Sequence, residues 1–100
     1  MKTTDELLAA LERGGFHRTS TGGGNSAMVR LVGAFTIMVT DGTGCDVDLA
    51  GEEDCLVGVY PCDDWATQIN IDAFTDPSEA VAVALDYDEG ALRRLAGRDI

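Results

Sequence analysis

The sequence predicts an α+β fold: one antiparallel sheet of about five to six strands in a meander, with an N-terminal helix and a C-terminal helix, or two short helices, packed on one face. Three observations support this prediction. An amphipathic stretch opens the chain, alternating segments separated by turn residues fill its middle, and a second amphipathic stretch closes it. With 100 residues the chain has room for a single domain over residues 1–100, and a second independent core is not expected.

The first helix is expected over residues 4–13. Thr3–Glu6 has the pattern of a capping box, with acids in the first turn that suit the helix dipole. One apolar stripe follows, made of Leu7, Leu8 and Leu11. Gly14 and Gly15 can adopt the positive φ that ends a helix, so we expect the helix to stop there.

The segments after Phe16 alternate with the period of β-strands. Turn residues Thr21–Asn25 separate two short strands. The second of these strands is expected to point three side chains inward, namely Ala27, Val29 and Leu31. Met28 and Arg30 would then face outward. A further strand, Phe35–Thr40, alternates cleanly.

The next strands are predicted from turns and apolar runs. Asp41–Gly44 has the composition of a hairpin turn, and Cys45–Leu49 follows it as a strand with two carboxylates outward. Cys55–Tyr60 is almost continuously apolar, which favours the middle of the sheet. After a turn at Pro61–Asp64, the last strand is expected to alternate Thr67, Ile69, Ile71 and Ala73 with the polar residues Gln68, Asn70 and Asp72.

The C-terminal helix has the strongest local signal in the chain. Asp76–Glu79 combines an acidic N-cap, a proline in the first turn and a glutamate at the third helical position. The apolar face that follows contains Val81, Ala84, Leu85, Leu92 and Leu95. Gly90 is expected to break the helix near Asp88, which gives one kinked helix or two short ones, and Gly97 is expected to end it.

The charge distribution is the clearest functional signal. The net charge is −11, and residues 32–91 contain fourteen of the eighteen acids and no Lys, Arg or His. The chain is nevertheless 45% apolar, so its acidity does not indicate disorder. A folded domain of this kind has a strong negative field, which attracts cationic partners and repels nucleic acid and anionic membrane.

The acids fall in predicted turns and at outward strand positions. Asp46 and Asp48 would form a row with a spacing of ~6.6–6.8 Å, which can stand in for a phosphate backbone. Trp65 follows two acids and is interpreted either as a cap on the end of the core or as an interface anchor ringed by acids. The expected partner-binding residues are Asp46, Asp48, Glu52, Glu53, Asp54, Asp63, Asp64, Trp65 and Asp72.

Metal and cofactor sites are not expected. Asp41–Glu52 has the length of an EF-hand loop, but Asp46 occupies the sixth position, where the sharp turn needs glycine. Loose, unselective divalent binding to the acids remains an alternative. The candidate zinc ligands Cys45, Cys55, Cys62 and His17 lack the closely spaced cysteine pairs of structural zinc sites. We therefore expect Cys45 and Cys55 to pack as small apolar groups and Cys62 to be an inert turn thiol.

Catalytic and nucleic-acid-binding motifs are also missing from the sequence. His17 is the only histidine and has no evident nucleophile partner, and Gly22–Gly24 lacks the lysine and helix start of a phosphate loop. Three scattered arginines, Arg13, Arg18 and Arg30, do not make a basic face. Catalysis by paired carboxylates is a distant alternative, because eighteen acids make some pair inevitable.

In size, acidity and lack of catalytic motifs, the chain resembles the small acidic inhibitors carried by phages and mobile elements, including DNA-mimic anti-CRISPR proteins. The resemblance rests on length and charge pattern and carries over no functional residue. It implies a non-enzymatic protein that blocks a basic, nucleic-acid-binding surface of a partner protein or complex. Two alternatives stay open: an immunity protein that neutralises a basic toxin, and a structural or virion assembly protein whose acidity serves solubility.

The N-terminus has no apolar segment of signal-peptide length, and no apolar run approaches the ~20 residues of a membrane span. We therefore expect a cytoplasmic location, in the host cytoplasm if the protein is phage-encoded, and no membrane partner. The oligomeric state does not follow from the sequence.

Overall fold

The computed structural model of the protein describes residues 4–22, 25–40, 55–65 and 67–97. Three helices and five strands lie within these ranges. In chain order they are α1 (Thr4–Arg13), β1 (His17–Gly22), β2 (Asn25–Val32), β3 (Phe35–Thr40), β4 (Cys55–Pro61), β5 (Asn70–Phe74), α2 (Pro77–Asp86) and α3 (Glu89–Gly97). Predictions for Thr3, for residues 23–24 and for residues 41–54 fall outside the described residues.

The five strands form one antiparallel sheet in the order β1-β2-β3-β4-β5, and the predicted α+β fold is confirmed. The central strand is β3, not the apolar run of β4. The two strands β3 and β4 pair directly, for example Ile37 with Val59, and the strand predicted over residues 45–49 lies outside the described residues. Apart from Phe35, all residues of β3 are buried, so this strand is covered on both faces.

The end of α1 is a Schellman motif. Gly15 has φ +96°, and its N–H donates to the carbonyl of Glu12 at 3.1 Å. The N–H of Phe16 donates to the carbonyl of Leu11 at 3.0 Å, and both side chains are fully buried. The predicted stop at Gly14 and Gly15 is confirmed, and the motif fixes the direction in which the chain enters β1.

Two acids cap the C-terminal helices. Asp76 Oδ1 accepts from the N–H of Ser78 at 2.9 Å, as the sequence predicts for the start of α2. Asp88 Oδ1 accepts from the N–H of Ala91 at 2.8 Å and starts α3. The break between the two helices therefore comes from the Asp88 cap, and Gly90 lies inside α3.

The main core lies between the helices and one face of the sheet. α1 and α2 touch closely at Gly14, where a side chain would overlap Leu85. The buried residues of this core are Leu7, Leu11, Phe16, Met28, Ile37, Val39, Cys55, Val57, Val59, Ala80, Val81, Ala84 and Leu92.

The predicted facing of β2 is wrong. Met28 is only 1% exposed and belongs to the main core, whereas Ala27 and Val29 belong to a separate cluster with Met38. Leu31, predicted to face inward, is 64% exposed. Because β2 is covered on both faces at Met28 and Val29, apolar alternation along it does not mark a single inward face.

The last strand also differs from its prediction. β5 is shorter than the predicted alternation, and Ile71 and Ala73 are exposed rather than buried. Their neighbours Asp72 and Phe74 pair with Val57 and Cys55, which are main-core residues. The side of β5 that faces the helices therefore includes the exposed carboxylate of Asp72.

Candidate partner-binding site

The candidate site lies on the second face of the sheet, opposite the three helices. Paired residues of neighbouring strands share a face, so Val29 lies beside Met38, and Met38 beside Gly58. Ala27, Val29 and Met38 form the apolar cluster of this face, and Tyr60 packs against it. Among the described residues, the large apolar side chains that this face exposes are Leu31, Trp65 and Ile71.

Tyr60 lies flat over Gly58 on the second face. A Cβ at position 58 would be 2.6 Å from the phenol oxygen and 2.7 Å from Cε1 of Tyr60. Such distances are too short for any side chain, so glycine is required for the ring to adopt this position. Burial raises the pKa of Tyr60, so its phenol is neutral near pH 7 and supplies no anionic base.

Trp65 is held on the second face by a hydrogen bond to the centre of the sheet. Its Nε1–H donates to Oγ1 of Thr36 at 3.1 Å. Thr36 is fully buried in β3, whereas Trp65 remains 37% exposed. The indole thus covers part of the second face and presents its remaining surface to solvent, and its role as an interface anchor stays a prediction.

The loop that carries Trp65 is tied at both ends. Cys62 donates its N–H to the carbonyl of Ala34 at 2.9 Å, and Asp64 donates its N–H to the carbonyl of Pro61 at 3.3 Å. The Thr67 hydroxyl donates to Oδ2 of Asp64 at 2.6 Å. These bonds confirm the predicted turn after β4 and position Trp65 over the sheet.

A pocket of about 460 Å³ opens beside Trp65. Its described lining residues are Gly15, His17, Thr19, Val29, Arg30, Leu31 and Trp65. Trp65, Leu31 and Val29 make an apolar wall, and the β1 residues His17 and Thr19 make a polar one. This volume is within the ~300–1,000 Å³ range of small-molecule pockets.

The predicted partner-binding residues separate into three groups. Asp63 and Asp64 are exposed and immediately precede Trp65, so these three residues share one loop. Asp72 is exposed on the helix side of β5, where Asn70 donates to its Oδ2 at 2.9 Å. The remaining five, Asp46, Asp48, Glu52, Glu53 and Asp54, lie outside the described residues.

Asp72 lies near Tyr87 rather than near Trp65. The pKa of Tyr87 is raised by burial and, secondly, by the negative charge of Asp72. This influence places Asp72 close to the segment between α2 and α3, on the side away from the second face. The structure therefore does not bring Asp72 together with Trp65.

The two described cysteines lie in contrasting surroundings. Cys55 is fully buried in the main core, as predicted, and Cys62 is exposed in the turn after β4. Across the described ranges, no group of three or more His, Cys, Asp or Glu residues could hold a metal ion. The side chains that the described part of the site offers are aromatic, apolar and charged.

Sequence reasoning missed the exposed role of Leu31 and the pocket contributions of His17 and Arg30. Leu31 has the same pattern signal as the buried Val29 two residues earlier, so the sequence does not distinguish them. His17 and Arg30 are separated from Trp65 by more than thirty residues, and only the strand pairings bring them to the same pocket.

Comparison of the chain with models of protein families, with curated proteins and with solved structures finds no significant match. None of the helices in the described ranges is long and apolar enough to cross a membrane.

Proposed function

We propose that the protein is a non-enzymatic binding protein that occupies a basic, nucleic-acid-binding surface of a partner protein. The observation that carries this proposal is the exposed Trp65 on the second face, directly preceded by the exposed carboxylates of Asp63 and Asp64. An aromatic anchor beside acids is suited to a partner surface rich in Lys and Arg, because Arg both pairs with carboxylates and stacks on indole.

The charge of the chain supports the choice of a basic partner. Fourteen acids without a single base between residues 32 and 91 produce a field that accelerates encounter with a cationic surface. The field also disfavours direct binding to nucleic acid, whose affinity depends on neutralising phosphates with basic side chains. The protein therefore competes with nucleic acid for the same partner surface.

Trp65 supports a specific contact within this field. Binding hot spots are enriched in Trp, Tyr and Arg and lie at well-packed positions. The hydrogen bond to Thr36 holds the indole in place before binding, so less side-chain freedom is lost on association. Leu31, which also lines the pocket and is largely exposed, enlarges the apolar centre of this contact.

The experiment starts from partners captured by the immobilised protein from the heparin-binding fraction of a cell lysate. A captured partner is then titrated with the protein in the presence and absence of duplex DNA. We expect DNA and the protein to exclude each other, because both occupy the basic surface. Simultaneous binding of both, or the absence of any captured basic protein at low salt, would contradict the proposal.

A charge variant identifies the surface involved. Asp63→Lys with Asp64→Asn raises the net charge by three and keeps an oxygen that can accept from Thr67. The matched control, Glu12→Lys with Asp86→Asn, makes the same charge change at exposed helix positions. We expect the loop variant to weaken binding about tenfold or more and the helix variant to weaken it much less. Equal losses would mean that only total charge matters.

A further inference from the structure

The pocket beside Trp65 differs in charge from the rest of the protein. Of the described residues that line it, none is acidic, whereas Arg30 and His17, the only histidine, both contribute. The chain has eighteen acids and seven Lys and Arg residues, so this described lining has a charge balance opposite to that of the whole chain. Charge complementarity at the pocket therefore favours an anion, opposite to the partner expected for the acidic loop.

Arg30 lies at the rim of the pocket. It pairs with Ile37, so its side chain leaves β2 on the helix side rather than beside Val29 and Leu31. A Cβ built on Gly15 would lie 3.7 Å from Nε and 3.9 Å from Cδ of Arg30, so the guanidinium end of the side chain lies against Gly15, which also lines the pocket. Arg30 has no ion pair with any acid in the described part of the chain. Its donors are thus free to bind a carboxylate, for which the planar guanidinium is well suited.

The remaining lining residues favour a ligand that contains an aromatic ring. The indole of Trp65 and the side chains of Val29 and Leu31 supply apolar surface on one side. The Thr19 hydroxyl donates to the carbonyl of His17 at 3.3 Å, which occupies its proton and leaves its oxygen as an acceptor. A volume of about 460 Å³ accommodates one ring with a short chain.

We propose that this pocket binds a small aromatic carboxylate, with its ring against Trp65 and Leu31 and its carboxylate at Arg30. The net charge of −11 does not prevent this. Charges farther away than the ~8 Å Debye length at physiological salt are largely screened. Of the nearer described groups, Arg30 lines the pocket, whereas Asp63 and Asp64 of the adjoining loop do not. The proposal is independent of the partner, because it concerns the isolated protein.

Three probes with the same phenylpropyl body test it: phenylpropionate, phenylpropanol and phenylpropylamine. Trp65 is the only tryptophan, so its single indole signal in a proton–nitrogen correlation spectrum reports on the pocket directly. We expect a saturable shift with phenylpropionate, an affinity about fivefold lower for the alcohol, and a still lower affinity for the amine. An amine that binds as tightly as the acid, or no saturable shift with the acid, overturns the proposal.

Arg30→Gln and Arg93→Gln remove the same charge at different places. Arg93 pairs with Glu89 at 2.6 Å on α3, which packs on the helix side of the sheet. We expect Arg30→Gln to abolish the preference for acid over alcohol, with affinity for the alcohol unchanged, and Arg30→Lys to keep part of the preference. Arg93→Gln should leave it intact. Equal losses in both Gln variants would show a general field effect and overturn the assignment to Arg30.

Loss of the fold in the Arg30→Gln variant is detected separately, because the indole signal then moves without ligand. In that case Leu31→Ser, which removes apolar surface at a largely exposed position, provides the second variant. It should weaken the acid and the alcohol by the same factor. Unchanged affinity for both probes would place them outside the pocket and overturn the proposal.

Discussion

The indole Nε1–H of Trp65 donates to the hydroxyl of Thr36 at 3.1 Å, and this bond joins residues that are 29 positions apart. One partner is fully buried at the centre of the sheet and the other is a third exposed. The bond therefore connects the core of the fold to the surface that we propose for binding. A substitution of the buried Thr36 should therefore alter how Trp65 is held on that surface, although no exposed atom is replaced.

Thr36→Val tests this connection, because valine keeps the shape of threonine and removes the acceptor. We expect a loss of about 0.5–1.5 kcal/mol in the free energy of unfolding, measured by urea denaturation. Trp65 fluorescence should also shift to longer wavelength as the indole becomes more mobile and hydrated. Thr36→Ser keeps the hydroxyl and should retain the wild-type emission; if both variants shift the emission equally, the hydrogen bond does not hold the indole.

Gly58→Ala tests the position of Tyr60 over the sheet. The added methyl would lie 2.6 Å from the phenol oxygen, so the ring must leave its place over the strand. We expect a cost of about 1–3 kcal/mol in unfolding free energy. In a Tyr60→Ala background the same change should cost much less, and a double-mutant cycle measures the difference. Equal costs in the two backgrounds would show that Tyr60 is not the obstacle.

Two glycine-to-alanine changes should have opposite signs. At Gly15, φ is +96°, a conformation that alanine adopts only with strain, so we expect Gly15→Ala to destabilise by about 1–2 kcal/mol. Gly90 lies inside α3, and a Cβ there would be 3.4 Å from its nearest neighbour, Asp88 Oδ1. Gly90→Ala should therefore stabilise by about 0.5 kcal/mol. Thermal unfolding of the two variants decides between these signs, and stabilisation by Gly15→Ala would contradict the helix ending described above.

Alkaline pH should destabilise the fold through its two tyrosines. Burial raises the pKa of Tyr60, and burial with the charge of Asp72 raises that of Tyr87. The folded state therefore holds these protons more tightly than the unfolded state, whose tyrosine pKa is about 10. Their stabilising contribution is complete below that pH and is lost as pH rises through the higher folded pKa values.

Urea denaturation at a series of pH values from about 8 to about 11 measures this loss. The double variant Tyr60→Phe with Tyr87→Phe should show a smaller decline than the wild type over the alkaline part of that range. A decline of the same size in both proteins would assign the alkaline sensitivity to other groups.

Local signals predicted the helices well, and long-range pairing limited the rest. The end of α1 at Gly14 and Gly15 and the start of α2 at Asp76 and Pro77 depend on bonds within a few residues. The local sequence pattern is therefore sufficient to predict both positions. Whether Met28 or Val29 faces the helices depends instead on what covers each face of β2, and no local pattern contains that information. The contact of Trp65 with Thr36 joins the loop after β4 to the neighbouring strand β3, and no local pattern predicts which strands are neighbours.

The acidic loop and the pocket illustrate the same limit. The residues Asp63, Asp64 and Trp65 are consecutive, so their common location follows directly from the order of the sequence. The pocket draws on the end of α1, two strands and this loop, and its described lining, with Arg30 and no acid, contrasts with the overall charge. Overall charge therefore predicts the kind of field around the protein but does not predict the chemistry of each depression on its surface.

The central claim, that the acidic loop at Trp65 binds a basic partner surface, is tested most directly by the association rate constant at increasing ionic strength. With the captured partner, we expect the wild-type rate to fall about tenfold or more between low salt and ~0.5 M salt, because screening removes electrostatic steering. The Asp63→Lys, Asp64→Asn variant should start slower and show a shallower decline than the Glu12→Lys, Asp86→Asn control. A wild-type rate that does not change with salt would contradict the claim.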